Sequence, residues 1–186
     1  MAELISYWVV PGRLMAGSYP GSIDAETATQ KLRSIVGAGV RSFIDLTEAE
    51  EPTFLCPLRP YENDLREVGR EIAVSVAYSR FPIRDLGVPS RGLVVSILDA
   101  LDAALGNGVP AYVDCLGGRG RTGVAIGCYL VRHAERLLGT VDGGVAGSLA
   151  LERITELRRS QQVPVPEYSP QTQAQREMVL GWRPGL

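Results

Sequence analysis

Apolar residues recur along the chain at two periods, and the switches between them predict an order of elements. Ala28, Leu32, Ile35 and Val36 share one face of a helix that Asp24 can cap and that Gly37 and Gly39 end. Val40–Leu46 reads as a strand rich in β-formers. Ile72–Tyr78 reads as another, with Ile72, Val74 and Val76 alternating. Ser90 caps a helix carrying Val94, Ile97, Leu98, Leu101 and Leu105, stopped by Gly106-Asn107-Gly108. Ala111–Asp114 is a short strand, and Val124–Val131 is apolar nearly all round, as a helix inside a core would be. An extended piece, Tyr7–Val10, leads into the turn Pro11-Gly12-Arg13. Helical spacing returns at about 145–159 and 171–181, on either side of Val163-Pro164-Val165-Pro166, which a helix interior excludes. Strands alternating with helices predict an α/β layer fold, a sheet covered by helices.

Bulk properties narrow the function classes. The 186 residues suit one domain, 1–186, with a sizeable core, and no repeat, linker or low-complexity tract divides them. With 45% hydrophobic and 22% charged residues, the composition is that of an ordered globular protein. A net charge of -2 and a pI of about 5.5 argue against a nucleic-acid partner. No apolar run approaches the ~20 residues of a membrane span, and the first residues lack the basic start and apolar stretch of a secretory signal. Cys56, Cys115 and Cys128 are too few and too scattered for a disulfide framework or, with His133 as the one histidine, for a metal site. A reducing cytoplasm is the expected location.

Chemistry concentrates in Val113-Asp114-Cys115-Leu116-Gly117-Gly118-Arg119-Gly120-Arg121-Thr122-Gly123. A cysteine ends a strand, three glycines lie in the next five residues, and an arginine opens a helix. The glycines let the backbone curl so that successive N–H groups meet one anion. The positive end of the following helix points at the same spot. Arg121 adds a planar fork that matches two phosphate oxygens. The same positive environment favours the thiolate, the nucleophilic form of cysteine.

This loop resembles the phosphate-binding loop of the protein-tyrosine and dual-specificity phosphatases, whose pattern is His-Cys-x5-Arg-Ser/Thr. Phe81-Pro82-Ile83-Arg84-Asp85-Leu86-Gly87-Val88-Pro89-Ser90 is similar to the family's general-acid loop, with Asp85 thirty residues before Cys115. Val40–Glu48 resembles the strand opening their core, Pro11–Ser18 the N-terminal stretch of compact dual-specificity members, and Ser169–Gln175 a glutamine-bearing C-terminal segment. The resemblance implies a central, mostly parallel sheet flanked by helices and a phosphatase acting through a phosphocysteine, with no cofactor or metal. It implies Cys115 as nucleophile, Asp85 as general acid and then base, and Arg121 with the N–H groups of Leu116, Gly117, Gly118, Arg119 and Gly120 around the phosphate. Thr122 would stabilise the departing thiolate, and Gln171 or Gln175 would position the water. Expected substrates are phosphotyrosine, phosphoserine or phosphothreonine in proteins, or small phosphorylated molecules.

Two departures keep other readings open. Asp114 stands where the family has histidine; an ionised carboxylate there would oppose the thiolate by like-charge repulsion, unless strand alternation turns it away to bond loop amides. A catalytically weak phosphate-binding module therefore stays an alternative. Arg119 occupies a position where phosphoinositide phosphatases of the phosphatase-and-tensin-homologue type carry lysine, so lipid or inositol phosphates stay another; it can equally pair with a surface acid. A cysteine protease is excluded, because His133 lies about eleven residues into the following helix, roughly 16 Å away. Cys56 and Cys128 are the thiols that could trap an oxidised Cys115, although Cys128 sits on the apolar helix as core packing would.

Overall fold

The computed structural model of the chain describes residues 4–53, 57–162 and 168–185. Its strands are β1 (Ser6–Val10), β2 (Leu14–Ser18), β3 (Ser42–Asp45), β4 (Ala77–Arg80) and β5 (Ala111–Cys115). They form a sheet in the order β1-β2-β5-β3-β4, antiparallel between β1 and β2 and parallel elsewhere. The helices are α1 (Ala25–Gly37), α2 (Glu62–Glu71), α3 (Arg91–Gly106), α4 (Arg121–Arg132), α5 (Ala134–Leu138), α6 (Gly143–Ser160) and α7 (Gln173–Leu180). This is the expected central, mostly parallel sheet flanked by helices.

Both sheet faces are covered, which is what a parallel sheet requires. On one face Phe43, Tyr112 and Met15 pack with Leu32, Ile35 and Val36 of α1 and Leu65 and Val68 of α2. On the other, Leu14, Ala16, Ile44, Val113 and Cys115 pack with α3, α4, α6 and Val179 of α7. The two clusters follow the pleat: odd and even positions of β5 belong to opposite faces. That alternation sets where the site's side chains point.

The caps read from the sequence are in place. Asp24 accepts from Thr27 N–H at the start of α1, and Ser90 from Leu93 N–H at the start of α3. Gly39 and Gly108 take positive φ just beyond α1 and α3, conformations that glycine adopts without strain. α4 is buried along nearly its whole length, the physical reason for its all-round apolar sequence.

The strand expected over Ile72–Tyr78 is displaced. Ile72 ends α2, its side chain 45% exposed, and ladder pairing with β3 begins only at Ala77. Val74 and Val76 do pack against the core as the alternation implies, but Ser42, the first residue of β3, lies opposite Ala77, so nothing earlier has a strand to pair with. The Glu62–Glu71 helix went unread because it holds only Leu65 and Val68 as large apolar anchors. The Val163–Pro166 segment lies outside the described residues.

Candidate active site

β5 is the middle strand, and Cys115 is its last residue, 2% exposed. The chain then turns through residues 116–120 into α4, whose first residue is Arg121. Four carbonyls of this turn are held from outside. Leu116 O accepts from Tyr19 N–H at 3.2 Å, Gly118 O from the Arg158 guanidinium at 3.2 Å, Arg119 O from the Ser169 hydroxyl at 2.7 Å, and Gly120 O from Val124 N–H at 3.0 Å. A planar peptide directs its N–H opposite its carbonyl. The N–H groups of Leu116, Gly117, Arg119 and Gly120 make no hydrogen bond within the described residues, so they are free for an anion. Gly118 sits at the tightest point, with φ +62 and its α-carbon packed so closely on the Gly17 backbone that a Cβ would overlap it. Only glycine fits there.

Arg121 is 1% exposed, and both terminal nitrogens of its guanidinium are engaged. Its guanidinium forms a two-pronged ion pair with Glu51, one contact very short and the other, Nη2 to Oε1, 2.8 Å. Nη1 also donates to Ile83 O at 2.9 Å, and Nη2 to Asp85 Oδ1 at 2.9 Å. The fork is thereby fixed in plane, and Asp85, with a side chain 51% exposed, is brought to the same guanidinium as the loop. Glu51 is 2% exposed and was missed by sequence reasoning. A buried arginine demands a counter-charge, and that signal points to the Glu48, Glu50, Glu51 cluster without choosing among them.

Thr122 Oγ1 is buried with no partner among the described residues, leaving its hydroxyl available beside the loop. Gln175, fully buried, is already occupied: Oε1 accepts from the N–H groups of Gln171 and Thr172, and Nε2 donates to Gly87 O at 2.9 Å. It caps α7 and ties that helix to the segment bearing Asp85. Gln171 is exposed, and both glutamines border Gly120. Arg119 lies with its guanidinium 4.9 Å from the ring centre of Tyr168, a cation–π contact, and no acid among the described residues forms an ion pair with it.

Asp114 points away from the loop, as the pleat requires. Its partner, however, is the Tyr61 hydroxyl, which donates to Oδ1 at 2.8 Å; the expected bonds to loop amides are not made. Oδ2 is buried without a partner. Asp45, opposite it in register on β3, takes the polar partners instead: Thr47 N–H and hydroxyl on Oδ1, and the Tyr78 hydroxyl and Arg80 on Oδ2. Burial, then the nearby Asp45 charge, pushes the Asp114 carboxyl well above the usual carboxylate range. A raised acid is stabilised in its neutral form, so its contribution to folding is present at low pH and lost as pH rises towards the folded value. Asp114→Asn removes that loss. Urea midpoints should shift in favour of the asparagine variant between acid and mildly alkaline pH, whereas a pH-independent difference would contradict a neutral, buried Asp114.

Cys128 is separate from this chemistry. It lies within the core on α4, and burial pushes its thiol up to about 12. Cys56 lies outside the described residues. His133, at the end of α4, pairs through Nε2 with Asp102 at 2.7 Å.

Comparison with known proteins agrees with this arrangement. A family model described as "Polymorphic toxin system, DSP-PTPase phosphatase" matches residues 17–135, well over half the chain. Among solved structures, Tk-PTP in its active form is 21% identical, with a TM-score of 0.62 and coverage of 94% of this chain and 92% of that one. PTPMT1 in complex with PI(5)P is 18% identical (TM-score 0.63; 94% and 92% covered). Kinase associated phosphatase bearing serine for its catalytic cysteine is also 18% identical (TM-score 0.63; 95% and 91% covered). At these identities the structures speak to the fold, and the family match speaks to the chemistry. This chain belongs to the DSP-PTPase phosphatase family of polymorphic toxin systems and is a phosphatase of the dual-specificity and tyrosine-phosphatase type.

Proposed function

We propose that residues 1–186 act as one phosphatase domain that cleaves phosphate monoesters through a phosphocysteine on Cys115. The observation that carries this is the meeting of three groups at one loop: Cys115 at its start, Arg121 at its end, and Asp85 held 2.9 Å from Arg121. The Cys115 thiolate attacks phosphorus in line, the P–O bond to the leaving group breaks, and Asp85 donates a proton to that oxygen. Water then attacks phosphorus, gives its proton to Asp85, and the S–P bond breaks to return the thiolate. Arg121 and the free loop amides bind the three non-bridging oxygens throughout, and the Thr122 hydroxyl stabilises the returning thiolate. Incoming phosphate competes with Asp85 for Arg121 Nη2, so binding releases the acid for its role.

Substrates on this reading are phosphorylated proteins, at tyrosine and at serine or threonine. A nucleophilic thiolate stays competent where it stays reduced, which suits the cytoplasm. No helix among the described residues is long and apolar enough to cross a membrane. The second reading is a phosphoinositide or inositol phosphate. Arg119 supports it, because no carboxylate among the described residues pairs with this loop cation, and the similar PTPMT1 was solved with PI(5)P.

The test is hydrolysis of p-nitrophenyl phosphate from acid to neutral pH by the wild type and Asp85→Ala. The wild type should turn over, and the alanine variant should be about 10²–10⁴-fold slower, the usual contribution of a positioned proton donor. No wild-type turnover, with phosphate still bound at the loop, would leave a binding module. Equal activity of the two proteins would remove Asp85 from the mechanism.

A further inference from the structure

Asp114 turns away from the thiol, so the residue before Cys115 brings no positive charge to it. Arg158, on α6, is 3% exposed, yet no carboxylate among the described residues forms an ion pair with it. Burying a cation without an anion is costly, and such charges are rarely left uncompensated. Its Nη1 donates to Gly118 O at 3.2 Å, its guanidinium carbon lies 5.6 Å from the Tyr7 ring centre, and its Nε has no partner. Tyr7 belongs to the same side-chain cluster as Cys115. Burial pushes the Tyr7 hydroxyl up to about 12, with Arg158 opposing that rise and Cys115 adding to it. The other three outward carbonyls of the loop are held by neutral donors; Arg158 is the one cation among the four anchors.

We infer that Arg158 is a positioning residue for the reaction, whose missing counter-ion is the Cys115 thiolate itself. Resting on the phosphatase reading above, Arg158 has two tasks. By holding the Gly118 carbonyl outward it keeps the Arg119 N–H turned into the loop, and its charge on the core side of the loop favours the ionised sulfur. Arg121 cannot fill the second task alone, because Glu51 and Asp85 already balance it.

The test is the pH dependence of Cys115 alkylation by iodoacetamide in the full chain, with no substrate and no turnover involved. Three variants separate charge from shape: Arg158→Met, Arg158→Gln, which keeps a donor for Gly118 without charge, and Arg158→Lys, which keeps the charge. The methionine and glutamine variants should need a pH about one unit higher for half-maximal alkylation, a tenfold loss of thiolate at fixed pH, and lysine should restore most of it. Should the methionine variant fail to fold, the glutamine variant decides. A folded glutamine variant whose alkylation profile overlays the wild type would overturn the assignment of Arg158. A wild-type Cys115 that alkylates only in the range of an ordinary thiol, about 8.5, would instead sink the thiolate reading itself.

Discussion

Cys115→Ser should abolish hydrolysis of p-nitrophenyl phosphate, with a fall of at least about 10⁴-fold, while inorganic phosphate still binds at the loop. The two side chains are close in size, and the anchors of the loop do not involve sulfur, so the amide cradle should survive. What is lost, on the proposed mechanism, is the nucleophile. An alcohol is a far weaker acid than a thiol, and a positive loop that ionises sulfur leaves a serine hydroxyl neutral. Turnover and phosphate binding, the latter by calorimetry, should therefore separate. A serine variant retaining a tenth of the wild-type rate would mean that Cys115 does not attack phosphorus.

Arg121→Ala should do two kinds of damage, each measurable alone. On the proposed mechanism it removes the fork that binds phosphate oxygens, which should lower turnover by about 10³–10⁵-fold, the range for arginines that stabilise transferring phosphoryl groups. It also strands Glu51, buried and facing the site, and breaking a buried ion pair from one side typically costs about 3–5 kcal/mol. Combining Arg121→Met with Glu51→Gln removes both charges and should recover much of the stability with none of the activity. Arg121→Lys keeps charge but cannot span Glu51 and a phosphate at once, and should stay far below the wild type. Urea unfolding reports the first effect and turnover the second. Activity within tenfold of the wild type in the alanine variant would contradict the assignment.

The parts of this protein that local chemistry specifies were legible in its sequence. α1 and α3 announce themselves by a capping side chain, a 3.6-residue apolar face and a glycine stop, and all three signals act within a few residues. The turn from Cys115 into Arg121 was legible for the same reason, since strand end, glycines and helix start are contiguous. What failed to show was what depends on distant partners. Glu51 meets Arg121 across seventy residues, and Arg158 meets Gly118 across forty. Nothing near either residue distinguishes it from a surface charge. The pleat correctly turned Asp114 away from Cys115, but its acceptance of a bond from Tyr61 depends on how α2 crosses the sheet. β4 was misplaced at its start because Ile72 continues the apolar alternation in sequence while the backbone is still leaving α2.

On the proposed mechanism phosphorus is transferred to Cys115 before it reaches water. The most direct measurement is rapid acid quench of the wild type and Asp85→Ala during turnover of p-nitrophenyl phosphate, followed by mass spectrometry of the peptide containing Cys115. A phosphoryl group should appear on that peptide, on the cysteine, together with an early release of nitrophenol up to one equivalent per protein. Steady turnover with the peptide unmodified at every quench time, and a serine variant as active as the wild type, would contradict that mechanism.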